Sequence, residues 1–170
     1  MFWDETGFSF RSRVGTTWAP RGQTPILRRV SKRRVLSTII GLTVSGHILR
    51  RHFRHTIHGP DVVTFLKHLR RRLRSPIIVI WDGLSAHRSQ EVKDYLASNR
   101  EVGVEWLPPY APDLNPEEGC HGNAKQHLRN AVPEDVDQIR RQADREFARI
   151  RRHHGLVMSF FHHAGIGVKS

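Results

Sequence analysis

Apolar and polar positions change their spacing several times along this chain of 170 residues, and each change marks an expected element. The opening stretch FWDETGFSF (2–10) is short and aromatic and reads as a strand. TTWAPRGQTPIL (16–27) holds two turns bounded by proline and reads as a hairpin at a sheet edge. RRVLSTIIGLTVSG (33–46), rich in Val, Ile and Thr, predicts a central strand kinked at glycine. HILRRHFRHTI (47–57) alternates loosely and predicts the next strand. After GPD (59–61) the period lengthens: Val62, Phe65, Leu66, Leu69 and Leu73 fall on one helical face, and the opposite face is basic. PIIVIWDG (76–83) is a continuous apolar run, the pattern of a strand buried on both faces. Ser89 caps a helix reaching Asn99, and VEWLPP (104–109) is another short strand. Asn115 and Pro116 supply the cap and first residue of a further helix. Pro133 opens the last expected helix, with Val136, Ile139, Ala143, Phe147 and Ile150 in one stripe.

Strands first, then strands alternating with helices, predict an α/β fold: a mixed sheet flanked by helices. The ribonuclease H-like fold is one solution with this order. The length suits one domain, so residues 1–170 are expected to form a single unit. No repeat or low-complexity linker divides it.

Charge narrows the partner. Lys and Arg number 28 against 16 Asp and Glu, a net charge of +12, which points to a polyanion such as nucleic acid. No run approaches the roughly 18 apolar residues of a membrane span, and no basic amphipathic helix has a Trp/Phe face. A single cysteine, Cys120, rules out a disulfide within the chain and fits a reducing compartment. MFWDETGFSF lacks a basic segment followed by an apolar run, so it is not a signal peptide, and it reads as structure almost from Met1.

Against that basic background the acids are few, and their positions stand out. Asp4 lies in the first strand, Asp82 at the exit of the buried strand, and Glu117 and Glu118 at a helix start. If the first and the buried strand are neighbours, Asp4 and Asp82 converge, and a helix N-terminus crossing that edge adds Glu118. Three carboxylates gathered together need a cation, because their repulsion otherwise raises a pKa or opens the site. Mg²⁺ suits such a set, with phosphate and water completing its shell. Two ions about 4 Å apart assist phosphodiester chemistry by activating one oxygen and stabilising another. Each acid also has a structural reading. Asp4 fits a solvated strand edge, Asp82 a turn cap, and Glu118 the far end of a capping box with Asn115. Glu117 and Glu5 stand as rival ligands beside their neighbours.

With these acids placed, four stretches resemble one family: FWDETGF (2–8), WAPRGQTP (18–25), VIWDGLSAHRS (79–89) and LPPYAPDLNPEE (107–118). The resemblance is to the catalytic domain of DDE transposases of the mariner superfamily, in its bacterial insertion-sequence branch. The last stretch is the most specific. The resemblance implies a ribonuclease H-like fold, a Mg²⁺-dependent Asp-Asp-Glu site (Mn²⁺ able to substitute, two ions) and cutting and joining of DNA at element ends. It carries the three acids to Asp4, Asp82 and Glu118, the last because the glutamate follows Asn-Pro-x. Thirty-five residues separate Asp82 from Glu118, near the family's spacing; Glu117 would give thirty-four. It also implies at least a homodimer on DNA and a bacterial cytoplasmic, nucleoid-associated location. Three departures are visible: Gly83 where Asn is usual, His121 where Trp is usual, and three residues ahead of Asp4 where relatives carry helix-turn-helix domains. The last suggests a separately encoded N-terminal DNA-binding half. A catalytically inert DNA-binding remnant is the alternative reading.

The remaining features are weaker. Ser85 and His87 in SAH lack a third group for a nucleophilic triad, so His87 is expected to contact substrate or cap its loop. One cysteine among scattered histidines is a poor zinc pattern, and these histidines are expected to add to the basic face. Arg70, Arg71 and Arg72, with the run 139–154, are candidate phosphate contacts. Trp18 and Arg21 are candidates for DNA contact near the cleavage point.

Overall fold

The computed structural model describes residues 1–9, 16, 18–23, 26 and 35–167. Five strands form one sheet in the order β3-β2-β1-β4-β5. They are β1 (Phe2–Ser9), β2 (Val35–Leu42), β3 (Ile48–Phe53), β4 (Ile77–Trp81) and β5 (Val102–Trp106). β1 pairs antiparallel with β2, and β2 with β3; β1 pairs parallel with β4, and β4 with β5. Connectivity explains the mixture. A tight turn joins β2 to β3, whereas β4 and β5 each follow a crossover helix, and crossovers return strands in parallel. The helices are α1 (Gly59–Leu73), α2 (Gln90–Ser98), α3 (Pro116–His127), α4 (Val136–Arg152) and α5 (His154–His163).

Alternation along β1 divides the core into two layers. Trp3 faces one side with Ile39, Phe65, Leu66, Val79 and Trp81, under α1 and α2. Phe2 and Phe8 face the other with Leu36, Ile40, Phe147 and Phe161, under α3, α4 and α5. Trp3 and Trp81 meet edge to face at 5.3 Å, which locks β1 against β4. The helical stripe read from the sequence is the buried face of α1: Val62, Phe65, Leu66 and Leu69 are all buried.

Several expectations need correction. The described residues between 16 and 27 contain a turn at Arg21 and Gly22 and no strand; the rest of the expected hairpin lies outside the described residues. β4 is not buried on both faces. Ile77, Val79 and Trp81 are buried, but Ile78 is 58% exposed. The reason is that α3 and α4 pack on β1, β2 and β3. The helix expected to open at Pro133 starts instead behind Asp135, whose Oδ1 accepts from Gln138 N at 2.6 Å. The chain also folds a separate helix, α5, which buries Val157, Phe160 and Phe161 and exposes Ser159, His162 and His163. Among the described residues, no helix is long and apolar enough to cross a membrane.

Candidate active site

The site begins with register. Phe2 pairs with Ile80 across the parallel β1–β4 ladder. Two residues further on, Asp4 still lies within β1, whereas Asp82 stands just past the end of β4. Asp4 and Glu5 are consecutive, so their side chains leave opposite faces of the sheet. β1 therefore feeds two clusters, one on each side.

The first cluster is completed by the N-terminus of α3. Asn115 fixes that terminus: its Oδ1 accepts from Glu117 N at 3.2 Å, and its Nδ2 donates to the carbonyl of Trp3 at 3.2 Å. The cap thus ties α3 to β1 one residue from Asp4. Helical spacing then places Glu117, Glu118 and His121 together. His121 Nδ1 lies 2.8 Å from Glu117 Oε2 and 3.8 Å from Asp4 Oδ2, and its Nε2 lies 3.0 Å from Glu118 Oε2. Glu117 is fully buried and His121 is 8% exposed. The capping box proposed for Glu118 does not form; Asn115 N donates to Pro112 O at 2.9 Å.

The second cluster lies on the opposite face. His87 Nε2 meets Glu5 Oε1 at 2.7 Å, and His87 Nδ1 meets Asp82 Oδ1 at 3.1 Å and the Asp82 carbonyl at 3.0 Å. Its ring stacks on Trp81, with centroids 4.3 Å apart. Trp3 Nε1 also donates to Glu5 Oε1, at 2.8 Å. The turn after β4 contributes Leu84 N, which donates to Asp82 Oδ1 at 3.1 Å. The clusters join through β1, where Glu5 N donates to Asp4 Oδ1 at 2.7 Å.

Electrostatics separate the two. Burial, the Glu117 charge and, more weakly, Glu118 push the Asp4 carboxyl up to about 8, against partial relief from His121. Burial raises Glu117 well above its usual range, and Glu118 adds to this. Burial lowers His121 despite Asp4 and Glu118. In the second cluster burial opposes the charge on His87, but hydrogen bonds to Asp82 and Glu5 prevail and push it up to about 10. Burial likewise opposes ionisation of Asp82, yet His87 and Leu84 N hold its pKa below the ordinary value.

The donor set fits a divalent cation. One ligand atom each from Asp4, Glu117 and His121 lie within 4.8 Å of one another, as do those of Glu5, Asp82 and His87. An ion with ligand bonds of about 2.0–2.6 Å spans separations of that order. Glu117 Oε1 and Glu5 Oε2 are buried without a hydrogen-bond partner, a costly condition that a cation relieves.

The sequence-derived residues therefore fall into groups. Asp4 and Glu118 share the first cluster, with Glu117; Asp82 belongs to the second. His87 is buried with both nitrogens engaged, so it holds Glu5 and Asp82 instead of facing DNA. Arg70 donates to Ser75 O at 2.7 Å and pairs with Glu101, so it secures the end of α1; Arg71 and Arg72 are exposed. Trp18 is 99% exposed and Arg21 is also exposed, and neither belongs to a strand. His121, one of the histidines expected on the basic face, sits among acids. Its spacing of three and four residues from Glu118 and Glu117 on a capped helix was the available signal.

Two further features adjoin the site. A groove of about 450 Å³ runs past Ser9, Glu118, His121, Lys125 and Arg129. Beyond Asp82, a Cβ at Gly83 would lie 2.6 Å from an Arg88 guanidinium nitrogen. That guanidinium sits 5.4 Å from the centre of the Trp106 ring.

Acids from β1, the exit of β4 and the start of α3 thus form two candidate cation clusters on a mixed sheet. Residues 1–140 match the family described as DDE superfamily endonuclease, and the chain belongs to that family. No curated protein matches it. Among solved structures, the Mos1 transposase paired-end complex with left transposon end aligns over 95% of this chain and 50% of its own, with a TM-score of 0.74 and 18% identity. The Mos1 transposase catalytic domain with Raltegravir and Mn covers 96% of this chain and 78% of its own, with a TM-score of 0.63 and 17% identity. A simian T-cell lymphotropic virus intasome in complex with a PP2A regulatory subunit aligns over 84% of this chain and 46% of its own, at a TM-score of 0.51 and 15% identity. The shared feature is the ribonuclease H-like fold expected from the order of elements. This chain spans about half the length of the first of these Mos1 chains.

Proposed function

We propose that this chain is the catalytic domain of a DNA transposase that cleaves and joins strands at the ends of an insertion sequence. The observation that carries the reading is the pair of clusters fed by β1: Asp4 with Glu117, Glu118 and His121 beside a groove holding Lys125 and Arg129, and Glu5 with Asp82 and His87 on the opposite face. Mos1 structures with Mn and with Mg share this fold and support a divalent cation here. Asp4, Asp82 and Glu118 are its proposed ligands, with two Mg²⁺ ions as the resident metal. Bound there, the ions supply charge neutralisation at the phosphodiester and activation of the attacking oxygen.

The chain's own residues do the rest. Asn115 fixes the approach of α3 to β1 and so the separation of Glu118 from Asp4. His87 keeps the Asp82 carboxylate ionised and oriented. Lys125 and Arg129 line the groove along which a DNA backbone lies, with Arg88 on the far side of Asp82. The net charge of +12 draws the polyanion in and makes binding sensitive to salt. Joining two element ends calls for at least two copies of the domain, working with a DNA-binding module supplied ahead of Asp4 or by a separate chain. A cytoplasmic, nucleoid-associated site of action follows from that substrate.

The test pairs calorimetric titration of Mg²⁺ and Mn²⁺ with nicking of supercoiled plasmid, for the wild type and Asp82→Asn. Metal uptake and nicking that both fall in the variant support the reading. Salt-sensitive DNA binding with no metal uptake in either protein overturns it in favour of an inert binding module.

A further inference from the structure

We propose that Asp4, Glu117 and His121 form a mixed oxygen–nitrogen cation site, in which the His121 imidazole binds the metal directly and favours a transition ion over Mg²⁺. The inference rests on the metal-dependent reading of Asp4 and deepens it by adding two ligands.

Three observations carry it. First, one donor atom from each residue lies within 4.8 Å of the others, close enough for a single ion to draw them in. Second, Glu117 is fully buried and its Oε1 has no partner, whereas its Oε2 lies against His121 Nδ1. A buried carboxylate half supplied by one imidazole is expensive, and a cation completes it. Third, the two nitrogens of His121 are already distinguished. Nδ1 faces Glu117 and Asp4, and Nε2 faces Glu118 Oε2 at 3.0 Å. A ligating histidine ordinarily donates its second ring N–H to a carboxylate, which fixes the tautomer and the ring plane. Glu118, 43% exposed, is in position to accept that proton while Nδ1 binds the ion. In this arrangement Glu117 joins Glu118 as a ligand from α3, and Glu118 Oε2 also accepts the proton that fixes the His121 ring.

Selectivity follows from donor chemistry. Mg²⁺ takes oxygen ligands in near-ideal octahedral geometry, whereas imidazole suits transition ions. With a nitrogen beside its carboxylates, the centre still accepts Mg²⁺ through oxygen and water ligands but binds Mn²⁺ more tightly.

The test is Mn²⁺ bound to the full chain and observed by pulsed electron paramagnetic resonance. The expected result is a nitrogen coupling from one directly bound imidazole, lost in His121→Asn and retained in His87→Asn. Labelling the histidines with ¹⁵N converts the coupling without altering the fold. Competition should show Mg²⁺ binding at least about tenfold more weakly than Mn²⁺, with the preference reduced in His121→Asn. Mn²⁺ that binds the wild type without nitrogen coupling, or coupling that survives in His121→Asn, overturns the proposal and leaves a carboxylate-only metal site standing. Failure of the wild type to take up either metal at millimolar concentration overturns the metal-dependent reading itself.

Discussion

Replacing Asp4 with Asn should stabilise the metal-free protein at alkaline pH, and the size of the effect follows from its burial. The Asp4 side chain is 13% exposed, and its pKa rises from 3.8 in the unfolded chain to about 8 in the fold. The folded state therefore binds a proton that the unfolded chain has released. Stability from this group is complete below about pH 4 and is lost as pH climbs through about 8. Between pH 5 and pH 8 the loss is on the order of 3 kcal/mol, or roughly 10 °C in Tm for a chain of this length. His87, pushed up to about 10, loses stability over an overlapping range. Asp4→Asn leaves His87 in place, so subtracting the two profiles isolates the first cluster. The assay is thermal unfolding of both proteins in chelator at pH 5 and pH 8, repeated with saturating Mn²⁺. The variant should show a shallower pH dependence, and metal should erase its advantage by offsetting the same repulsion in the wild type. Identical slopes for the two proteins in chelator would refute the assembly of Asp4 with Glu117 and Glu118.

Other expectations test neighbouring links. His87→Ala strands Glu5 in the core without its cationic partner and should cost about 3–5 kcal/mol in urea unfolding; a loss under 1 kcal/mol would mean the pair is not formed. Asn115→Ala removes both the α3 cap and the tie to Trp3, and should cost about 1–2 kcal/mol while weakening metal uptake in calorimetry. Gly83 lies outside the left-handed region, so Gly83→Ala meets only the flexible end of Arg88 and should leave the melting temperature nearly unchanged. It should weaken DNA binding as Arg88→Ala does, and each should lower the salt slope by about 1 in anisotropy titrations; slopes equal to wild type would remove Arg88 from the interface.

Local patterns were legible wherever one element decided the outcome. The apolar run ending at Asp82, the stripe of α1 and the Asn115-Pro116 start of α3 all appear in the structure, because periodicity and capping act over a few residues. Pairings that depend on strand order were not legible. Nothing near His87 indicates that Glu5 will partner it, since that contact needs β1 beside β4. Ile78 misled for the same reason: its strand reads as buried, but α3 and α4 cover the other half of the sheet. α5 was legible in principle, since Val157, Phe160 and Phe161 keep helical spacing, but the segment is only ten residues long and follows α4 without a proline or glycine break before it.

Asp4 and Glu5 stand next to each other on β1, the middle strand of the sheet. Two consecutive acids on a central strand necessarily enter both layers of the protein. One layer answers with a histidine from the loop after β4, the other with a histidine from α3. The answers are unequal. His87 retains its charge and holds Glu5 and Asp82 ionised, so the second cluster is nearly neutralised by the fold itself. His121 loses charge through burial, while Asp4 and Glu117 are driven toward protonation. The first cluster is thus the one that the protein leaves electrostatically incomplete, and it opens onto the basic groove. A cation added there gains more than one added beside His87. Metal affinity should therefore be lost more completely in Asp4→Asn than in Glu5→Gln, and calorimetry on those two variants decides which face of β1 carries the chemistry.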